Sequence, residues 1–257
     1  MSASAFALAA VASGGALAQL DEITVTAQKT EQSLQEVPLA VSVLNSEAVE
    51  NAYAIDFEGL QTLVPSVSFR KGSTNANSAI TIRGIGTISF SDAAEPSVST
   101  VVDGVVLGRS GQAFGDLFDI ERIEVLRGPQ GTLFGKNASA GVVNIIARRP
   151  STEEYEGYVS ASYFEDEEYR VKARVSGPIN DDVAFSLVVN RSEFDGFLRN
   201  VFNNRDVNGY DRWGGRAQVL WTPFDDGEVL FTYEHSEGDD DCCTDIEALP
   251  SGRNPAS

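Results

Sequence analysis

Histidine, cysteine and positive charge are all scarce in this chain, and each shortage removes a class of function. Of its 257 residues one is histidine, His235, and two are cysteines, Cys242 and Cys243, adjacent to each other in an acidic stretch. Adjacent cysteines provide neither zinc-ligand spacing nor a CxxC redox pair. A single histidine excludes a multi-histidine metal site and leaves a Ser-His-Asp arrangement one candidate, on a strand pattern where an exposed histidine is the simpler reading. Lysine and arginine total 19 against 38 acidic residues, a formal net charge of −19, so the basic face of a nucleic-acid binder is missing. The imbalance is uneven: residues 1–150 hold 10 basic and 15 acidic groups, residues 151–257 hold 9 and 23. No stretch reaches the roughly 20 apolar residues of a membrane-spanning helix. No nucleophile elbow, metal cluster or phosphate loop stands out, so neither an enzyme nor a resident cofactor is expected.

What is present is organised around Asp119–Pro150. Ile123 and Val125 alternate with Arg122 and Glu124 up to Arg127, which predicts a strand with one apolar and one polar face. Gly128 and Pro129 turn the chain, Gly131 and Gly135 tolerate positive φ, and the run Val142–Ile146 predicts a buried strand. The segment Gly131–Asn137 is similar to a phosphate-binding loop in composition only. Three residues instead of four separate its glycines, and Asn137 stands where Ser or Thr would hold Mg²⁺, so turn glycines are the better reading.

Ahead of this unit, Val37–Leu44 reads as a strand, Asn45 and Ser46 cap a short helix to about Tyr53, and Asp56 caps a second, Phe57–Val64, stopped by Pro65. Strands are expected at Val67–Arg70, Ala79–Arg83 and Val98–Val102, with polar loops at Lys71–Ser78 and Gly84–Pro96. The pattern is that of a small mixed α+β domain. At the front, the apolar, Ala-rich stretch Met1–Ala18 ends in small residues like a signal-peptidase site. It lacks the basic n-region, so either the true start lies upstream or the stretch is a disordered tail. Asp21–Thr30 alternates as a short strand without a neighbouring hairpin partner, and is suited to adding to another sheet's edge through backbone hydrogen bonds.

Beyond Pro150 the texture changes. Segments at about Tyr155–Phe164, Tyr169–Ser176, Val183–Ser192, Arg212–Thr222 and Glu228–Ser236 alternate apolar and polar residues, most at the length a tilted membrane strand needs. Tyr155, Phe164, Tyr169, Tyr210, Trp213, Trp221 and Phe224 sit near segment ends, as in interfacial aromatic girdles. Gly177–Asp182 and Pro223–Gly227 are expected as short turns, while Phe194–Asp211 and the acidic stretch from Glu237 are long connections. Five strands do not close into a barrel, so the sequence reads as the early part of a longer barrel protein. A complete five-stranded protein would expose an apolar face and unpaired edges to water.

The string from Asp119 to Pro150 resembles the most characteristic part of the plug domain in TonB-dependent outer-membrane receptors. ITVTA at Ile23, Thr24, Val25, Thr26 and Ala27 resembles the TonB box, and ITIRG at Ile80–Gly84 and VVDGV at Val101–Val105 resemble further plug motifs, all in family order. The resemblance covers about Gln19 to about Arg149. It implies an α+β plug followed by antiparallel transmembrane β-barrel strands, divided as signal peptide 1–18, TonB box and linker 19–36, plug 37–150 and about five barrel strands 151–257. The function implied is capture of a scarce extracellular ligand, a ferric siderophore foremost, and its import into the periplasm. The implied partners are the inner-membrane TonB protein, outer-membrane lipid and the small-molecule ligand, with no nucleic acid. A non-transporting binding or adhesion barrel is the alternative, and a strand-addition box argues against it.

By the same resemblance Arg83 and Arg127 match plug arginines that face barrel glutamates, and Lys71, Ser73, Asn75, Asn77, Ile88, Ser89 and Phe90 fall in apical loops that touch ligand. In an oxidising compartment Cys242 and Cys243 are expected to be oxidised, paired first with cysteines in other outer loops, since a bond between neighbours is strained, with a bridge between the two as the lesser alternative. No metal site is expected. An acidic run that could offer oxygen ligands to a hard cation such as Ca²⁺ is Asp239, Asp240 and Asp241, and charge runs are usually solvated.

Overall fold

The computed structural model describes residues 24–26, 29–30, 32–52, 57–70, 72, 78–87, 94–108, 117, 119–164, 167–200, 204–224 and 227–241. They form a mixed domain followed by a long-stranded sheet. The mixed domain runs β1 (Thr24–Val25), β2 (Gln32–Ser33), β3 (Ala40–Asn45), α1 (Ser46–Asn51), α2 (Phe57–Leu63), β4 (Val67–Arg70), β5 (Ala79–Ile82), β6 (Val98–Val102), β7 (Val105–Val106), β8 (Ile120–Arg127), α3 (Gly131–Phe134) and β9 (Gly141–Ala147). Its central sheet has the order β3-β8-β9-β6-β7, parallel only between β6 and β9.

Both faces of that sheet are covered. On one, Leu44, Val49, Phe57, Leu60, Ile80, Ile123, Val125, Val143 and Ile145 form a core under the two helices. On the other, Val25, Val37, Val101, Leu126, Phe134 and Val142 form a second core under the N-terminal segment and α3. The helix cap foreseen at Asn45 is present: its Oδ1 accepts from the Ala48 amide at 2.9 Å, satisfying one of the orphan donors of α1. Asp56 and Tyr53 lie outside the described residues. Gly141 is required by close approach, because a Cβ there would sit 2.4 Å from the Leu126 carbonyl oxygen. The expectation of a polar strand face at Glu124 needs correction. Glu124 is fully buried, because the N-terminal segment lies over that face.

The second sheet contains β10 (Glu156–Tyr163), β11 (Tyr169–Asn180), β12 (Val183–Phe194), β15 (Tyr210–Phe224) and β16 (Gly227–Asp240), an antiparallel meander whose edges are β10 and β16. A hairpin of β13 (Leu198–Asn200) and β14 (Arg205–Val207), not legible from sequence, occupies the long connection between β12 and β15. β11 runs further than its alternation indicated, through Gly177 and Pro178, and tolerates the proline at a bulge before Asn180.

The strands alternate between a mostly polar face turned to the mixed domain, into which Ala184, Val188 and Leu220 are also packed, and a mostly apolar face turned away. Inward lie Arg174, Ser176, Ser186, Arg212, Arg216 and Gln218, all buried. Outward lie Val159, Val171, Val175, Leu187, Val189, Val219, Phe231 and Tyr233, all exposed. On β15 the outward residues run from Trp221 to Asp211, ten residues apart. At about 3.3 Å per residue and a tilt near 40° that spans about 25 Å, the height of an outer-membrane apolar band. Trp213 and Trp221 mark its two levels. Two of the seven expected girdle aromatics are corrected by the same parity. Tyr210 turns inward, donating to Glu168 Oε1 at 2.5 Å with the Arg212 guanidinium over its ring, and Phe164 lies under the Arg170 guanidinium.

Candidate functional site

The N-terminal strand is docked. Thr24 and Val25 pair with Ser33 and Gln32, so the expectation that this segment has no hairpin partner does not hold. Val25 has 0% exposure within the second core. The physical reason is that an isolated β-branched side chain gains by leaving water, and Leu126, Phe134 and Val142 provide the apolar seat. The Thr26 amide donates to Glu124 Oε1 at 2.8 Å and its hydroxyl lies 3.2 Å from the same oxygen. Arg122 Nε donates to Glu124 Oε1 at 2.9 Å, and Asn144 Nδ2 to Oε2 at 3.1 Å. One buried carboxylate thus gathers the N-terminal segment, β8 and β9. Lys29 extends the docking by lying 5.6 Å from the Phe134 ring centre. Ile23 and Ala27 lie outside the described residues.

Arg83 and Arg127 follow β5 and end β8. Ile82 comes within 2.7 Å of where a Cβ on Gly141 would be, and Gly141 is the register partner of Arg127, so the two arginine-bearing ends lie at one end of the domain. Arg83 is exposed with φ 53°, its amide donating to the Ser66 carbonyl at 2.7 Å. Arg127 Nε donates to the Ala40 carbonyl at 3.2 Å. Among the described residues neither pairs with a carboxylate.

The candidate loop residues Lys71, Ser73, Asn75, Asn77, Ile88, Ser89 and Phe90 lie outside the described residues, as do Cys242 and Cys243. Asp239, Asp240 and Asp241 do not converge. Neighbours on a strand point to opposite faces, and Asp240 places its two oxygens on Arg212 Nε and Nη2 at 2.7 and 2.5 Å. His235 is exposed on β16, its ring 5.1 Å from that of Trp213.

Sequence reasoning missed the seam between the two bodies. Asp119, 1% exposed, accepts from Arg174 Nε at 3.2 Å, and Arg174 is itself 4% exposed. Arg174 also donates to the Arg149 carbonyl at 2.9 Å and pairs with Glu156. Lys172 on β11 lies 3.6 Å from Glu50 of α1, and Arg149 pairs with Glu228 at 2.7 Å. The one signal was the run of basic residues at Arg170, Lys172 and Arg174, which share a strand face.

A family model described as the TonB-dependent Receptor Plug Domain matches residues 33–142. The Pesticin receptor of Yersinia pestis is 30% identical over 205 residues, covering 78% of this chain and 29% of that protein. The Vitamin B12 transporter BtuB of Vibrio vulnificus is 27% identical over 242 residues, covering 84% of this chain and 38% of that protein. Among solved structures, the ferric yersiniabactin uptake receptor FyuA from Yersinia pestis superposes with a TM-score of 0.71 at 28% identity, over 78% of this chain and 32% of that one. The chain therefore spans about a third of the length of the relatives it matches.

Proposed function

Because this chain carries a TonB-dependent receptor plug domain followed by antiparallel strands of an outer-membrane β-barrel, we propose that it acts in the energised import of a scarce extracellular ligand, a ferric siderophore first among the candidates. The ligand is captured outside, TonB pairs with Ile23–Ala27, and force delivered there remodels the plug so that the ligand passes to the periplasm. The observation that carries this reading is the docking of Thr24–Thr26. The segment is a two-residue strand at the domain's margin, held by one apolar side chain, one carboxylate and a pairing with Gln32–Ser33 short enough for an added strand to replace. No covalent chemistry is invoked. The ligand class is favoured by the relatives, one named for ferric yersiniabactin uptake, while another is named for vitamin B12.

The test uses the complete receptor in cells, with radio-iron-labelled ferric yersiniabactin and vitamin B12 as probes. Val25→Pro removes a backbone donor and breaks strand pairing, so uptake is expected to fall to background while surface binding persists. Val25→Ala keeps the backbone and is expected to reduce uptake only modestly. Loss of binding together with uptake in Val25→Pro would identify the segment as a structural strand of the plug and overturn its role as the box.

A further inference from the structure

Two barrel arginines converge on one plug residue. In the register of the sheet, Arg174 of β11 faces Val188 of β12, Val188 faces Arg216 of β15, and Arg216 faces Glu234 of β16. Arg174 and Arg216 therefore stand two strands apart, about 10 Å at the backbone, with side chains on the inward face. Asp119 lies between them. Its carboxylate takes Arg174 Nε at 3.2 Å, and its carbonyl takes Arg216 Nη1 at 3.5 Å together with the Arg148 amide at 3.0 Å. Arg174 adds the Arg149 carbonyl, so a single guanidinium binds the residue before β8 and one just after β9. Arg216 is held in turn by Glu234 at 2.7 Å. All three side chains are almost wholly buried, where an ion pair is not screened by salt and a lone charge is costly.

The N-terminal segment is attached differently. Its contacts run to Glu124, Leu126, Phe134 and Val142, all within the plug. We propose that Asp119, Arg174 and Arg216 are positioning residues that clamp the β8–β9 ribbon of the plug to the barrel wall throughout the transport cycle, so that remodelling takes place in the plug around a ribbon that stays in place. This proposal rests on the transport reading for its purpose. Its geometry stands without it.

Two measurements on the complete receptor test it. In the first, with Cys242 and Cys243 replaced by serine, Asp119→Cys and Arg174→Cys are joined in the outer membrane by a short bis-methanethiosulfonate cross-linker, which forms a reducible disulfide with each thiol and releases methanesulfinate, and uptake of radio-iron-labelled ferric yersiniabactin is followed. The tied receptor is expected to import as fast as the unmodified one. Uptake abolished by the tie and restored on its reduction would mean that the ribbon leaves the wall, and would overturn the clamp. The second is independent of transport, and separates failure of the clamp from failure of the import reading. In purified receptor, Arg174→Met removes the nearer of the two guanidinium partners of Asp119, leaving Arg148 at 4.0 Å, and amide exchange in β8 and β9 is expected to accelerate about tenfold while Thr24–Thr26 is unchanged. Unchanged protection of β8 and β9 would overturn the clamp even if the receptor transports. Where Arg174→Met does not assemble, Arg174→Lys, which keeps the charge but loses the forked donor, is expected to give a smaller acceleration of the same strands. Its absence would count equally against the clamp.

Discussion

Glu124 shows how much one side chain can hold together. Its carboxylate accepts from the Thr26 amide, Arg122 Nε and Asn144 Nδ2, so three donors far apart in sequence share one buried acceptor. Replacing it with alanine leaves the partly buried Arg122 and the buried Asn144 short of an acceptor as well as freeing Thr26. Glu124→Ala is expected to destabilise the plug by about 3 kcal/mol, near the lower end for breaking a buried pair. It should also raise protease sensitivity at Thr24–Thr26, and Glu124→Gln, which keeps an acceptor oxygen, should fall between. Chemical denaturation followed by amide exchange in β8 and β9, with proteolysis run in parallel, checks both. A Glu124→Ala variant with wild-type protease resistance would show that Val25 alone holds the segment.

At the scale of the element, the barrel strands divide their residues by parity, and depth along the outward sheet face predicts unequal sensitivities. Leu187 faces outward at the middle of the apolar band, in the register row of Val175, Ala217 and Tyr233. An arginine there meets hydrocarbon at its deepest point, and Leu187→Arg is expected to cost about 2–4 kcal/mol. Asp239 lies on the same face at the outer rim, opposite Asp211, and Asp239→Arg is expected to cost about 0–1 kcal/mol. The comparison is read as the folded fraction in outer membranes and as urea midpoints in lipid vesicles. Equal effects at the two positions would mean that the face does not lie against a bilayer. Glycine has a place in this face as well. A Cβ on Gly177 would lie 2.4 Å from the Tyr155 ring, so the missing side chain makes room for an aromatic at one end of the band.

For the molecule as a whole, the two bodies use opposite solvents. The plug has two apolar cores shielded inside, whereas the barrel sheet turns its polar face to the plug and exposes Val159, Val189, Phe231, Tyr233 and their neighbours outward. A net charge of −19 keeps copies apart but does nothing to cover that outward face. The chain is therefore expected to precipitate or associate on transfer from denaturant into water, and to recover β-structure when transferred into detergent micelles. Circular dichroism and light scattering on the two preparations check this. A soluble monomer with full β-signal in plain buffer would contradict a lipid-facing surface.

The features legible in the sequence were those governed by neighbours along the chain. The cap at Asn45, the glycine turns after Arg127, the strand periods and the mixed α+β character all follow from local propensity and spacing, and they stand in the fold. The plug motifs were legible for the same reason, since each is a short contiguous string. What the tertiary structure alone decided is which way a given face points and what it meets. Alternation specifies that Tyr210 and Trp213 lie on opposite sides of β15 but not which side touches lipid, and both had been expected there. Likewise the alternation of Arg122 and Glu124 specified a polar face on β8 but not that the N-terminal strand would cover it. The decisive pairs join residues distant in sequence: Arg174 with Asp119 at a separation of 55, Arg216 with Asp119 at 97, and Thr26 with Glu124 at 98. No window along the chain contains both members of such a pair. Burial, which makes their charges matter, exists only once the N-terminal segment has covered Glu124 and the barrel sheet has closed on Asp119.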